Sequence, residues 1–393
     1  MQRSSRRMTS VLAAVALTFF VLITFAVGRA QTATPAPHQG QAPATAPAKT
    51  AAEAFKNIQV LKDAPADQLI PAMQFIAASL GVECEHCHVG REFEKDDKQP
   101  KQTARKMMQM MFAINKDNFN GRREVSCYSC HHGAADPVSI PIVSEEEPKP
   151  EPEGARQGGM NPGANTPALP AADQLLAKWV QAVGGAEAVQ KISSRIEKGT
   201  INFSGHQIAV EVYGKAPDKR LTVTHSPNGD SVTAFDGHVG WLSGMGPPRE
   251  MTAQESEAFK LDADFYFPVH VKQVFTQFRV RPPEKVGDRE AYLVLGLRQG
   301  QPPVRLYFDE QSGLLVRLVR YAETPVGRNP TQIDYADYRD ADGVKIPFRW
   351  TLARPGGRFT IQVGQVQQNV AIDDAKFAEP PMPAPPAAKP PSP

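Results

Sequence analysis

All four cysteines of this chain fall in two copies of one pattern, CEHCH at 84–88 and CYSCH at 127–131. No other feature constrains the fold as much. In Cys-x-x-Cys the two sulfurs lie on one side of a helical turn, and the histidine that follows is carried beneath them. Other uses of paired cysteines fit poorly. A thioredoxin-like pair sits beside a βαβ pattern, which this sequence lacks. A zinc ribbon joins its pairs through roughly 15–20 residues, whereas 39 residues lie between Cys87 and Cys127. Two disulfides, ordinary in an exported protein, would not require a histidine after each pair. C-x-x-C-H is the attachment pattern of c-type haem, whose vinyl groups form thioethers with the two thiols. The expectation is two covalently bound haems (iron), on Cys84 and Cys87 and on Cys127 and Cys130. His88 and His131 are then the proximal iron ligands.

The second axial position of each iron decides its use. Left open, it admits oxygen or peroxide; filled by methionine sulfur, it raises the potential and suits electron transfer. A methionine-bearing helical pattern precedes each motif. In DAPADQLIPAMQFIAASLG, Asp63 is placed as N-cap and Pro65 in the first turn. Leu69, Met73, Ile76 and Leu80 follow at helical spacing, and Gly81 supplies the stop. In KQTARKMMQMMFAIN, Ala104, Met107, Met111 and Ile114 share a face. Periodicity leaves Met73 open between iron ligand and adaptable core filler. For the second motif Met107, Met108, Met110 and Met111 compete. At about 100° per residue Met107 falls near the centre of the stripe, which favours it over Met110 and Met111. The repeated order of helix, connection and CxxCH reads as a tandem duplication. His86 is too constrained to reach an iron, and His132 faces solvent or a propionate. His206, His225, His238 and His270 have no metal-like spacing; bis-histidine ligation by one of them is the alternative to sulfur.

Composition shifts divide the rest of the chain. Arg3, Arg6 and Arg7 precede VLAAVALTFFVLITFAV, and Gly28 and Ala30 offer a cleavage site. Residues 1–30 therefore read as a signal peptide or a retained membrane anchor. Residues 31–54 read as a flexible tether, 55–143 as the haem domain and 144–171 as a Pro/Gly/Glu-rich linker. Residues 172–380 form the second domain, and 381–393 a disordered Pro-rich tail. Within 172–380 a helical stretch broken at Gly184-Gly185 is followed by strand patterns with turn signals, including a hairpin about Gly313. This predicts a long antiparallel sheet with one or two helices. Asp309, Asp337 and Asp342 sit at turns or strand ends, where aspartate serves the backbone. The fold class is multidomain: a mainly α dihaem cytochrome c domain, then an antiparallel β half-barrel-like (α+β) domain. A net charge of +2 gives no ground for a nucleic-acid partner.

MQFIAASLG before VECEHCH, and TARKMMQMMFAIN before VSCYSCHHG, resemble the haem segments of the photosynthetic reaction centre cytochrome c subunit family. The resemblance covers about residues 55–140. In that family each haem unit is a methionine-bearing helix, a turn, and CxxCH on an antiparallel helix. It implies Met73 as distal ligand of the first haem. It implies Met107, first of an M-x-x-M pair, as distal ligand of the second, with Met110 as its partner and alternative. The family's subunit carries four haems, so two motifs imply a dihaem variant. In the second domain AVGGAEAVQKISSRIEKGTI, FDGHVGWLSG, LYFDEQSGLLVRLVRY and ADYRDADGVKIPFRW are similar, more weakly, to outer-membrane lipoprotein-sorting or lipoprotein-carrier half barrels. That resemblance implies an acyl or lipid ligand.

Together these features lead one to expect an exported, non-enzymatic electron carrier working by outer-sphere transfer. It would be periplasmic, soluble or tethered to the inner membrane by its N-terminal segment. Its partners would be redox proteins of the cell envelope or a membrane electron-transfer complex. The alternatives are a dihaem peroxidase-like enzyme with one iron lacking sulfur, and a lipid-binding envelope sensor with haems as redox input.

Overall fold

The computed structural model describes residues 49–137 and 169–380, apart from 204–205, 228, 245–247 and 356. The signal or anchor at 1–30, most of the tether and linker, and the Pro-rich tail lie outside the described residues.

The N-terminal segment is helical. A capping box between Thr50 and Glu53 starts the short α1 (Ala51–Ala54) inside the stretch that reads as tether. The first methionine helix, α2 (Ala66–Leu80), begins after Pro65, which has no side chain to cap it, and ends at Gly81 in the left-handed conformation. Cys84–Cys87 form the single turn α3, and α4 (Gln99–Phe119) carries the methionine cluster. The second motif makes another single turn, α5 (Tyr128–His131). Leu69, Ala72 and Ile76 of α2 bury with Met108 and Met111 of α4 in one core.

The larger part opens with α6 (Ala172–Ala182) and α7 (Ala186–Lys191), separated at the expected Gly184-Gly185. Strands β1 (Ser194–Phe203), β2 (His206–Lys215), β3 (Lys219–Ser226), β4 (Gly229–Phe235), β5 (Gly240–Ser243) and β6 (Arg249–Glu250) follow as a meander. Two helices absent from the sequence expectation come next, α8 (Ala253–Ala263) and α9 (Phe267–Val274). Then come β7 (Gln277–Val286), β8 (Arg289–Leu297), β9 (Val304–Asp309), β10 (Leu315–Thr324), β11 (Gly327–Ala341), β12 (Val344–Arg354) and β13 (Gly357–Gln368).

All pairings between these strands are antiparallel, in one open sheet of order β6-β5-β4-β3-β2-β1-β13-β12-β11-β10-β9-β8-β7. The side-chain period of two sorts the faces. Leu306 and Phe308 point into the main core, whereas Tyr307 between them joins a cluster on the other face. The main-core face is covered by α6, α7, α8 and α9, with Trp179 against Phe308 (5.3 Å between ring centroids) and Phe267 (5.7 Å). Gly313 makes the expected β9–β10 turn, and Asp309 accepts from the Ser312 amide at 2.6 Å.

The two parts pack together through the tip of the β10–β11 hairpin. Val326, 1% exposed, belongs to the core of the N-terminal segment and not to the sheet's own. Burying such a side chain contributes about 1.5–3 kcal/mol. Arg123 bonds Glu323 and the Thr324 carbonyl, and Gly327 lies under the Phe75 ring.

Candidate functional site

Each Cys-x-x-Cys-His closes on itself as one helical turn. The His88 amide donates to the Cys84 carbonyl at 3.0 Å, and the His131 amide to the Cys127 carbonyl at 3.1 Å. The two turns are offset by one residue: His88 follows its turn in an extended conformation, whereas His131 is the last residue of its own. No disulfide joins the four cysteines; Cys84 and Cys130 are exposed and Cys87 and Cys127 half-buried. Burial pushes the Cys87 and Cys127 thiols up.

The histidines repeat a second feature. His88 Nδ1 is 3.1 Å from the Phe93 carbonyl oxygen, and His131 Nδ1 is 3.0 Å from the Ala134 carbonyl oxygen. A carbonyl only accepts, so in each ring Nδ1 carries the proton and the Nε2 lone pair is left for a metal. This is how a ligating histidine is oriented by its second shell. Burial, then the charge of Lys101, holds His88 below its ordinary value and favours the neutral ring. Among the described residues no cluster of three or more His, Cys, Asp or Glu side chains could hold a bare metal ion.

Two buried polar residues of α4 hold the flanks of the two motifs. Lys101 Nζ donates to the carbonyls of Phe93 (2.9 Å) and Lys95 (2.7 Å) and pairs with Asp96 (2.9 Å). Arg105 also pairs with Asp96, at 2.8 Å. The loop after CEHCH is therefore wrapped around one ammonium. Four turns along α4, Asn115 donates to the Val125 carbonyl (2.7 Å) and accepts from the amides of Val125 (2.9 Å) and Glu124 (3.1 Å), fixing the approach to CYSCH. Neither residue was among the sequence candidates. The signal for them was phase: both lie on the same stripe as Met108 and Met111.

That stripe corrects the placing of Met107. The buried residues of α4 are Lys101, Met108, Met111 and Asn115, so Met107 is not at the centre of the inward face. It is 40% exposed, and Met110, one turn on, is 50% exposed. The hydrophobic pattern misplaced the stripe because two of its four members are polar. On α2, Ile70 is 53% exposed and Met73 is half-buried three residues later. Phe93 and Tyr128, within or beside the motifs, are also exposed. The donor set and the oriented imidazoles fit a c-type haem at each motif.

The motifs are packed crosswise. α3 lies against α4, and α5 against α2. At the second contact the Gly133 amide donates to the Ser79 carbonyl at 2.8 Å, and a Cβ on Gly81 would stand 2.0 Å from the Gly133 oxygen. Other histidines are engaged elsewhere: His225 with Asp230 and His270 with Asp264, both at 3.0 Å.

Residues 23–194 match the family model described as the photosynthetic reaction centre cytochrome C subunit. The N-terminal region resembles that family. The reaction centre cytochrome c subunit of Thermochromatium tepidum is 31% identical over 120 residues, covering 30% of this chain and 29% of that protein. Cytochrome c-554 of Chloroflexus aurantiacus is 33% identical over 85 residues, 20% of each chain. The chain thus spans less than a third of the length of these curated relatives. The sheet is similar to a DUF1329 family protein from Desulfovibrio piger (13% identity, TM-score 0.38, 52% of this chain and 96% of that one). It is also similar to a LolA superfamily protein from Nitrosomonas europaea (13% identity, TM-score 0.36, 53% and 98%). No helix among the described residues is long and apolar enough to cross a membrane.

Proposed function

We propose that this chain is an exported dihaem c-type cytochrome that carries electrons by outer-sphere transfer. In this reading Cys84 and Cys87 hold one haem and Cys127 and Cys130 the other, with His88 and His131 as proximal ligands. Met73 and Met107 supply the distal sulfurs, with Met110 as the alternative to Met107. When bound, the haems supply one-electron ferric–ferrous chemistry. The protein's part is to anchor and orient. Phe93 and Ala134 hold the imidazoles through Nδ1, Lys101 holds the loop that carries the Phe93 contact, and Asn115 fixes the approach to CYSCH. No proton donor or acceptor is needed at either motif.

The observation that carries the proposal is the same Nδ1–H to carbonyl bond on both histidines. The exposure of Met107 and Met110 supports it, since neither is used in the protein core. The partners proposed are redox proteins of the cell envelope or a membrane electron-transfer complex, with the carrier in the periplasm, free or tethered by residues 1–30. The sheet serves in this reading as a scaffold that packs against α2. An acyl ligand there would have to displace side chains of α6 and α9.

The test is the absorption spectrum, haem content and redox titration of wild type, Met73→Ala, Met107→Ala and Met110→Ala. Two haems per chain are expected, with the far-red sulfur-to-iron band halved by Met73→Ala and by Met107→Ala. If the band and both potentials survive all three substitutions, the sulfur ligands are wrong. High-spin wild-type iron that reacts with peroxide would favour a peroxidase instead.

A further inference from the structure

A cavity of about 80 Å³ lies between β1–β3 and the C-terminal end of α8, far in sequence from the cysteine motifs. A single water needs only about 10–15 Å³ on this measure, so the space suits a polyatomic group. Its lining carries three cationic and three acidic side chains, of which three are already paired to residues outside it. Asp262 is taken up by the two terminal nitrogens of Arg320 (2.5 and 2.7 Å). Asp264 accepts from His270 and from the Tyr266 amide, both at 3.0 Å, and Lys219 pairs with Asp374 at 3.0 Å. Three lining groups remain: Arg195, Arg220 and Glu197.

Two cations thus face one carboxylate, and poorly. The nearest contact of Glu197 is 3.8 Å from Arg195, and Arg195 reaches Gln368 only at 3.4 Å. Arg195 Nε is buried with no partner, while its guanidinium stacks over the Phe265 ring at 5.2 Å. Arg220 has no ion-pair partner among the described residues, and its charge adds to the cost of burying Arg195. Buried donors without acceptors are costly, and two guanidiniums held together need a counter-charge. The guanidinium fork matches phosphate oxygens in pairs.

We propose that this cavity binds a phosphate group between Arg195 and Arg220, with the Phe265 ring holding Arg195 in place. The phosphate is either free or the head group of an amphiphile. The site is independent of the haem reading.

The test is calorimetric titration of the full-length chain with inorganic phosphate, dodecyl phosphate and uncharged dodecyl maltoside. Saturable binding of at least one phosphate probe is expected, weakened about tenfold to a hundredfold by Arg195→Met and by Arg220→Met. Arg328→Ala, remote and exposed, should leave it unchanged. If Arg195→Met does not fold, Arg220→Met decides. Equal binding of both phosphates identifies a free anion; binding of dodecyl phosphate alone identifies a head group. The proposal is overturned if neither phosphate binds, if Arg220→Met binds as well as wild type, or if dodecyl maltoside binds equally.

Discussion

His88 and Lys101 share one acceptor: the Phe93 carbonyl takes the imidazole Nδ1–H at 3.1 Å and the lysine ammonium at 2.9 Å. His131 has the first half of this arrangement, through Ala134, but no cation is recorded on that carbonyl among the described residues. The ammonium draws electron density from the acceptor, weakens its hold on the imidazole proton, and adds positive charge near the metal position. With haems bound as proposed, both effects would raise the potential at CEHCH relative to that at CYSCH. Lys101→Met should lower the first potential and leave the second unchanged in a potentiometric titration. It should also cost about 1.5–3 kcal/mol in denaturant unfolding, since it removes the hydrogen bonds of a largely buried ammonium to two carbonyls and to Asp96. Equal shifts in both haems would refute the assignment.

The crosswise packing of α5 on α2 depends on a residue without a side chain. Gly81 has φ +66° and no room for a Cβ against Gly133. Gly81→Ala should cost about 2–4 kcal/mol, from left-handed strain and the forced separation of the two turns. The thermal midpoint should fall, and haem incorporation should suffer at CYSCH more than at CEHCH. Mass spectrometry of peptides from the two motifs would read this directly.

The hairpin tip is a second point where distant sequence holds the N-terminal segment. Val326→Ala should destabilise that segment by about 1–3 kcal/mol. Gly327→Ala would place a Cβ 2.5 Å from the Phe75 ring and should have a similar effect. Hydrogen exchange should quicken in α2, while β7–β9 stay protected. Unchanged exchange in α2 would mean the hairpin contact is incidental.

Asp96 sets an acid limit on the loop after CEHCH. Hydrogen bonds from Arg105 first, and Lys101 second, hold its carboxyl far below the ordinary aspartate range. A carboxyl depressed in the folded state adds stability above its unfolded value, near about 4, and loses it as pH falls toward the folded value. Asp96→Asn should therefore be less stable than wild type at pH 7 and at pH 5, with the gap closing below about pH 4. A gap that stays constant into strong acid would rule out the ionised carboxylate as its source.

The two Cys-x-x-Cys-His turns were legible because each is written in five contiguous residues. The antiparallel strands and the turn at Gly313 were legible for a similar reason, since alternation and turn residues are local. Helices α8 and α9 were missed; in α8 the hydrophobic and polar residues are poorly segregated, and it is capped by Thr252 and Glu255 rather than marked by an apolar face. The α4 stripe was misjudged because Lys101 and Asn115 are inward-facing polar residues, and no count of apolar spacing finds them.

The sequence by itself determined which atoms could bind covalently and which could ligate, for these depend on residue type and separations of a few positions. Only the tertiary structure decided that α4 serves both motifs, that α5 rests on α2, and that Val326 completes a core some two hundred residues upstream. Those contacts join segments whose spacing along the chain carries no period, and packing and buried hydrogen bonding select them only once the chain has folded.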